Sequence, residues 1–190
     1  MSDFYQKGIF ESGGHVMTEM TLGYKQAADS LVSIIESQDG DWGILAYPIL
    51  FLYRQHIELA MKAAMSWIYA YERQGVELGV GSTEPKQAEP TRYGHNLSGA
   101  WAYLRPKFED LDLPLDSRLT DRAEGVINWI VRRDPQSMTF RYPEVWLQNM
   151  RENELDVSPL EMRQGVEEAS SAIVGLTAYL RDLIGIGEDT

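Results

Sequence analysis

The stretch Ala46–Met65, AYPILFLYRQHIELAMKAAM, constrains this chain more than any other. Read as a helix it is apolar on nearly every side. Leu52, Leu59 and Ala63 mark one face, and Leu50, Phe51, Met61 and Met65 mark another. A helix that is hydrophobic all round belongs inside a protein. Yet Arg54, Gln55, His56, Glu58 and Lys62 sit in its middle. Ionised groups there are costly unless paired or hydrogen-bonded. The sequence therefore predicts a central rod whose charges are either satisfied internally or line a site.

The flanking segments supply partners for such a rod. A first helix is expected over about Val16–Ser37, with Met20, Tyr24, Ala27, Leu31 and Ile34 recurring at steps of four and three. Gly40 and Asp41 mark the turn into the rod, and Pro48 suits its first helical turn. The rod runs on toward Tyr71. The segment 74–94 holds Gly75, Gly79, Gly81, Pro85 and Pro90 without periodicity and reads as a mobile loop.

A third helix begins near Asn96, whose side chain can cap it, buries Leu97, Trp101 and Leu104, and ends or kinks at Pro106. A fourth spans about Ser117–Arg132, with Leu119, Ala123, Val126 and Ile130 inward, and stops at Asp134-Pro135. Ser137–Pro143, SMTFRYP, reads as extended, and Val145–Asp156 is ambiguous. The last helix opens on Ser158-Pro159-Leu160-Glu161, a Ser cap with Pro at the first helical position and Glu at the capping-box position. It carries a stripe of Val166, Ala169, Ile173, Leu176, Leu180 and Leu183, and ends at Gly185 and Gly187. The fold class expected is all-α, an up-and-down bundle of about five helices in a single domain over 1–190, with 1–14 as a loose arm.

Bulk properties narrow the function classes. The 190 residues suffice for one sizeable core, and the absence of cysteine excludes a disulfide framework and a cysteine nucleophile. The start, MSDFYQKG, shows no basic region followed by an apolar run, so no secretory signal is expected. The longest apolar run, Ile44–Tyr53, is about half of the roughly 20 residues a membrane-spanning helix needs. A cytoplasmic protein without a membrane partner is the expectation. The net charge of −12 argues against broad, non-specific binding to nucleic acid, which depends on neutralising phosphates. It leaves room for a small basic cleft, and Arg132, Arg133 and Arg141 form the clearest basic cluster.

Three groups of residues stand apart from the packing pattern. Arg54, Glu58 and Lys62 lie at steps of four. They form either an ordinary ladder of charges or, flanked by Phe51, Met61 and Met65, the wall of a pocket or interface. His56 shares the Leu52–Leu59–Ala63 face and is either a hydrogen-bonded core residue or a general acid/base. His95 precedes Asn96 at the start of the third helix. There a neutral imidazole can act on a ligand or merely close the turn.

Metal chemistry is not expected, because the only histidines are His15, His56 and His95 and no pair has helical ligand spacing. Gly79-Val80-Gly81-Ser82-Thr83 lacks the Lys-Ser/Thr ending of a phosphate loop, and no cofactor signature is visible. Arg141 and Tyr142 sit in the irregular SMTFRYP segment. Arg offers a planar fork for phosphate or carboxylate, and Tyr offers a stacking ring. The competing reading pairs Arg141 with a buried carboxylate such as Glu58.

The ordered set YPxLFLYRxxIELxxK, then Gly-His-Asn-Leu opening a helix, then Phe-Arg-Tyr-Pro, then a long terminal helix resembles the HEPN superfamily, the higher eukaryotes and prokaryotes nucleotide-binding domains. The resemblance covers about Val16 to Leu183. It implies an all-α bundle that pairs as a homodimer. It also implies a place in prokaryotic or phage conflict, defence or toxin–antitoxin systems, acting on or binding RNA or nucleotides. Catalytic members carry an Arg, four to six residues, and then a His on one helix. No arginine here precedes a histidine by that spacing, so any activity must use a rearranged set. The candidates are His95 and His56 as acid/base, with Arg54, Glu58, Lys62, Asn96, Arg141 and Tyr142 on the substrate. The alternative is a non-catalytic helical dimer that binds a protein partner or a small ligand.

Overall fold

The computed structural model describes residues 14–37, 40–77, 93–111, 117–142, 144–145 and 157–185. These form a bundle of five principal helices, with no strand among the described residues. They are α1 (Gly14–Glu36), α2 (Trp42–Glu77), α3 (Leu97–Asp110), α4 (Ser117–Arg133) and α5 (Pro159–Ile184). The 36-residue α2 is the rod expected from its composition. It packs against α1, α3 and α5, while α4 closes the far side against α3 and α5. One apolar cluster spans the bundle and draws on all five helices, with Ile49, Tyr53, Ile57, Met61, Met65 and Ile68 of α2 at its centre.

Local chemistry accounts for most helix ends. Asp41 opens α2 by accepting the Gly43 N–H on its Oδ1 at 2.7 Å. Asn96 caps α3 by accepting the Gly99 N–H at 3.0 Å. Ser158 and Glu161 form the full capping box of α5, which ends on Gly185 at φ 70°.

Several expectations need correction. Because α2 starts at Trp42, Pro48 lies inside the helix and not in its first turn. It is tolerated because it faces solvent, where water can satisfy the carbonyl left without its usual partner. The rod also continues to Glu77, so the start of the supposed 74–94 loop is helical. Residues 78–92 of that segment, Gly79–Thr83 among them, lie outside the described residues, as do most of the supposed 1–14 arm and 146–156, while Tyr93 and Gly94 form a turn.

Pro106 does not end α3. The exposed proline is accommodated and the helix runs to Asp110, burying Phe108 against Trp101 with ring centroids 5.8 Å apart. Residues 137–142 are turned rather than extended, with the Met138 carbonyl accepting both the Arg141 and Tyr142 N–H groups. On α1 the buried row is Thr21, Ala28 and Val32, one residue on from the expected stripe. One residue is about 100° of helix rotation, and it leaves Met20 and Ile34 exposed.

Candidate functional site

Arg54 is fully buried, and every part of its guanidinium faces an acceptor. Nη1 donates to Glu58 Oε2 at 2.7 Å, one turn along α2. Nη2 donates to the His95 carbonyl at 2.9 Å, in the turn before α3. Nε lies 3.0 Å from Asp134 Oδ2, just past α4, as an ion pair rather than along the N–H direction. A planar fork with several donors suits this three-way contact, which a lysine ammonium would not reproduce. The central charge of the rod is thus neutralised by one carboxylate from its own helix and one from the end of α4.

Asp134 also organises the turn that follows it. Its Oδ1 accepts the N–H groups of Met138 at 2.6 Å and Thr139 at 2.9 Å. Just before Met138, Ser137 is buried with its backbone at φ 61°, in the left-handed region. Gln55 Nε2 reaches toward Ser137 Oγ at 3.5 Å, so α2 touches this turn at two adjacent positions.

Glu58 is 4% exposed and gathers three donors. Lys62 Nζ binds Oε1 at 2.7 Å, Arg54 binds Oε2, and His95 Nδ1 lies 2.9 Å from Oε1 and 3.1 Å from Oε2. Burial alone would raise the Glu58 pKa. The hydrogen bonds from Lys62, Arg54 and His95 outweigh it and hold the carboxyl below its ordinary value. An ionised carboxylate only accepts, so whenever the His95 ring is neutral its proton lies on Nδ1 and Nε2 is the acceptor nitrogen. His95 has 58% of its side chain exposed and Lys62 has 20%. The site therefore presents an oriented imidazole and a partly exposed ammonium at the surface, above a buried Arg–Glu–Asp base. The turn carrying His95 depends on Gly94 at φ 53°, and a Cβ at Gly99 would lie 2.9 Å from both Asn96 Nδ2 and Tyr93 Cδ1.

No family model, curated protein or solved structure matches this chain. The site's chemistry therefore rests on its own geometry.

That geometry gathers Arg54, Glu58, Lys62 and His95 and sets the other candidates apart. His56 faces α1, fully buried, with Nδ1 donating to the Thr21 carbonyl at 2.8 Å and no partner for Nε2. Burial pushes its pKa down despite that hydrogen bond, so it is a neutral core histidine. Asn96 spends its side-chain oxygen on the cap. Arg141 does not pair with Glu58, as the alternative pairing had it. It is exposed, donates from Nε to the Ser137 carbonyl at 2.6 Å, and lies 6.0 Å from the Phe51 ring centroid and 5.7 Å from that of Tyr142. Phe51, Gln55 and Glu58 recur along one side of α2, so Arg141 and His95 meet the same stripe of that helix, at Phe51 and at Glu58, two positions about 10 Å apart along its axis.

Asp134 is the residue that sequence reading passed over as a functional element. Its place directly before Pro135 explained it as a helix stop. The usable signal was the unpaired arginine of the rod, which required a second carboxylate from elsewhere in the chain. Among the described residues no group of three or more His, Cys, Asp and Glu is placed to hold a metal ion, and no helix is long and apolar enough to cross a membrane.

Proposed function

We propose that this is a HEPN-like protein of a prokaryotic or phage conflict system that acts on RNA or a nucleotide through His95. The observation that carries the reading is the Glu58–His95 pair, with Nδ1 held by the carboxylate and more than half of the histidine side chain exposed. That is the arrangement a general base needs, because orientation and tautomer are set before substrate arrives. With RNA, Nε2 takes the proton of a 2′-hydroxyl as its oxygen attacks the adjacent phosphorus. The bond to the 5′-oxygen breaks, and water supplies that oxygen's proton. Lys62 keeps two N–H donors beyond its bond to Glu58 and offers them to the phosphate as charge builds on it. Arg141, steadied against Phe51 and Tyr142, supplies a second cation for a neighbouring phosphate, and Tyr142 a ring for a base. Arg54 acts as a positioning residue, since it is too deep to meet a ligand.

The test is incubation with end-labelled single-stranded RNA in the absence of added metal, comparing the protein with His95→Ala. Cleavage leaving a 2′,3′-cyclic phosphate, lost in the variant, is the expected result. No cleavage and no thermal shift with nucleotides would exclude the proposal. A second reading is a non-catalytic partner-binding module. It is favoured by the burial of Arg54 between the carboxylates of Glu58 and Asp134, an arrangement that serves the bundle whether or not a ligand exists. In that case His95→Ala leaves partner binding intact.

A further inference from the structure

The guanidinium of Arg54 holds His95 in two ways. Nη2 donates to the His95 carbonyl at 2.9 Å, which fixes the turn. Nη1 donates to Glu58, the carboxylate that binds the His95 ring. Where the guanidinium sits therefore decides where the imidazole sits. Arg54 is fully buried, so solvent does not screen its charge, and its ion pairs are with Glu58 and Asp134. Glu58 is shared with Lys62 and His95, whereas Asp134 reaches Arg54 from a separate element, the end of α4.

Asp134 is a fixed post. Its N–H donates to the Ile130 carbonyl at 2.8 Å, and its Oδ1 accepts the Met138 and Thr139 N–H groups. These bonds leave Oδ2 for Arg54. The helix stop and the turn after it need an oxygen acceptor, which an asparagine also supplies. They do not need a negative charge. The charge balances the buried guanidinium, and a buried charge without its partner is costly. With Asp134 neutral, Arg54 is left to Glu58 alone and competes with His95 and Lys62 for its two oxygens.

We propose that Asp134 is a positioning residue for His95, acting through Arg54 from the end of α4 to the turn before α3. The proposal rests on the reading of His95 as the general base and names what keeps that base aligned. Asp134 is buried and does not meet a ligand. Its two oxygens divide the work. Oδ1 holds the turn in which Arg141 is fastened to the Ser137 carbonyl, and Oδ2 holds the arginine that fastens His95. One carboxylate thus sets the base and the second cation of the site in register.

Asp134→Asn separates the two tasks. Its amide oxygen keeps the N–H bonds of the turn, and its amide nitrogen then faces Arg54 Nε, donor against donor. The preference for a proton on His95 Nδ1, read from imidazole nitrogen-15 shifts, is expected to be lost. With end-labelled RNA, kcat is expected to fall by roughly 10- to 100-fold with KM little changed. Asp29→Asn is the control, because Asp29 serves Lys25 and Tyr53 on the α1 side and its loss should leave the His95 shifts as in the parent. Arg54→Gln combined with Asp134→Asn removes both charges of the pair and serves where the single variant does not fold; the same loss of preference is expected. Parent-like His95 shifts in either folded variant would overturn the proposal. So would an unchanged kcat, or an equal change of shift in Asp29→Asn. The ring measurement needs no RNA, so a parent that fails to cleave would sink the ribonuclease reading while this test still decides the positioning.

Discussion

Arg54 and His95, 41 residues apart in the chain, are joined by a 2.9 Å hydrogen bond from the buried guanidinium to the histidine carbonyl. The same guanidinium faces Asp134, whose other oxygen holds the turn over residues 138–139. One arginine therefore ties two surface turns to the central helix. The charges of Arg54 and Lys62 balance those of Glu58 and Asp134, so these four groups together carry no net charge.

Removing that arginine should be among the most damaging single changes. Arg54→Met leaves Glu58 without one donor and Asp134 facing an apolar chain, and breaking a buried pair in this way costs about 3–5 kcal/mol. In urea unfolding, Arg54→Met combined with Asp134→Asn should cost less than the sum of the two single changes. Additivity within about 0.5 kcal/mol would mean that the two residues do not interact.

Glu58 gives stability a dependence on acid. Its carboxyl titrates lower in the folded chain than when unfolded, so its contribution is complete above the unfolded value of about 4.3. That contribution is lost as pH falls through the folded value. Glu58→Gln should flatten this acid limb in thermal melts recorded between about pH 5 and pH 2.

His56 acts in a higher window. Buried neutral, it binds its proton less readily in the folded chain than in the unfolded one. Stability from this residue is therefore full above the unfolded value of about 6.5 and declines as pH drops below it. His56→Leu removes that decline. A parent and variant with parallel melting-temperature profiles from pH 7 to pH 5 would contradict the assignment.

Ser137 tests whether the 134–142 turn is held in a strained form. At φ 61° a β-branched side chain is strongly disfavoured, so Ser137→Val should cost about 1–3 kcal/mol. Ser137→Gly should be tolerated with little change. Equal stability for the two variants, measured by chemical unfolding, would show that the turn relaxes freely.

Much of this was readable from the chain. The all-round apolar pattern of Ala46–Met65 gave the central helix, and the Ser158–Glu161 box gave the start of the last helix to the residue, although Leu183 at the end of its expected stripe is exposed. That Arg54, Glu58 and Lys62 would need partners was legible, because charges inside such a helix require them, and the structure brings the three together with His95. Which carboxylate answered Arg54 was not readable. Asp134 and Arg141 lie seven residues apart in one turn, and only the direction of that turn decides which of them points inward. The α1 stripe was misplaced by one position because its helix carries two adjacent apolar rows, and periodicity alone does not say which one meets the bundle. Pro48 and Pro106 misled for a shared reason: each lies on a solvent-facing side, where the lost hydrogen bond costs less than the burial gained by continuing the helix.

The most direct test of the central claim is the tautomer of His95, read from the imidazole nitrogen-15 shifts of the neutral ring. A proton on Nδ1, donated to Glu58, is expected in the parent protein, with this preference lost in Glu58→Gln. A ring protonated on Nε2 in the parent, unchanged by Glu58→Gln, would contradict it.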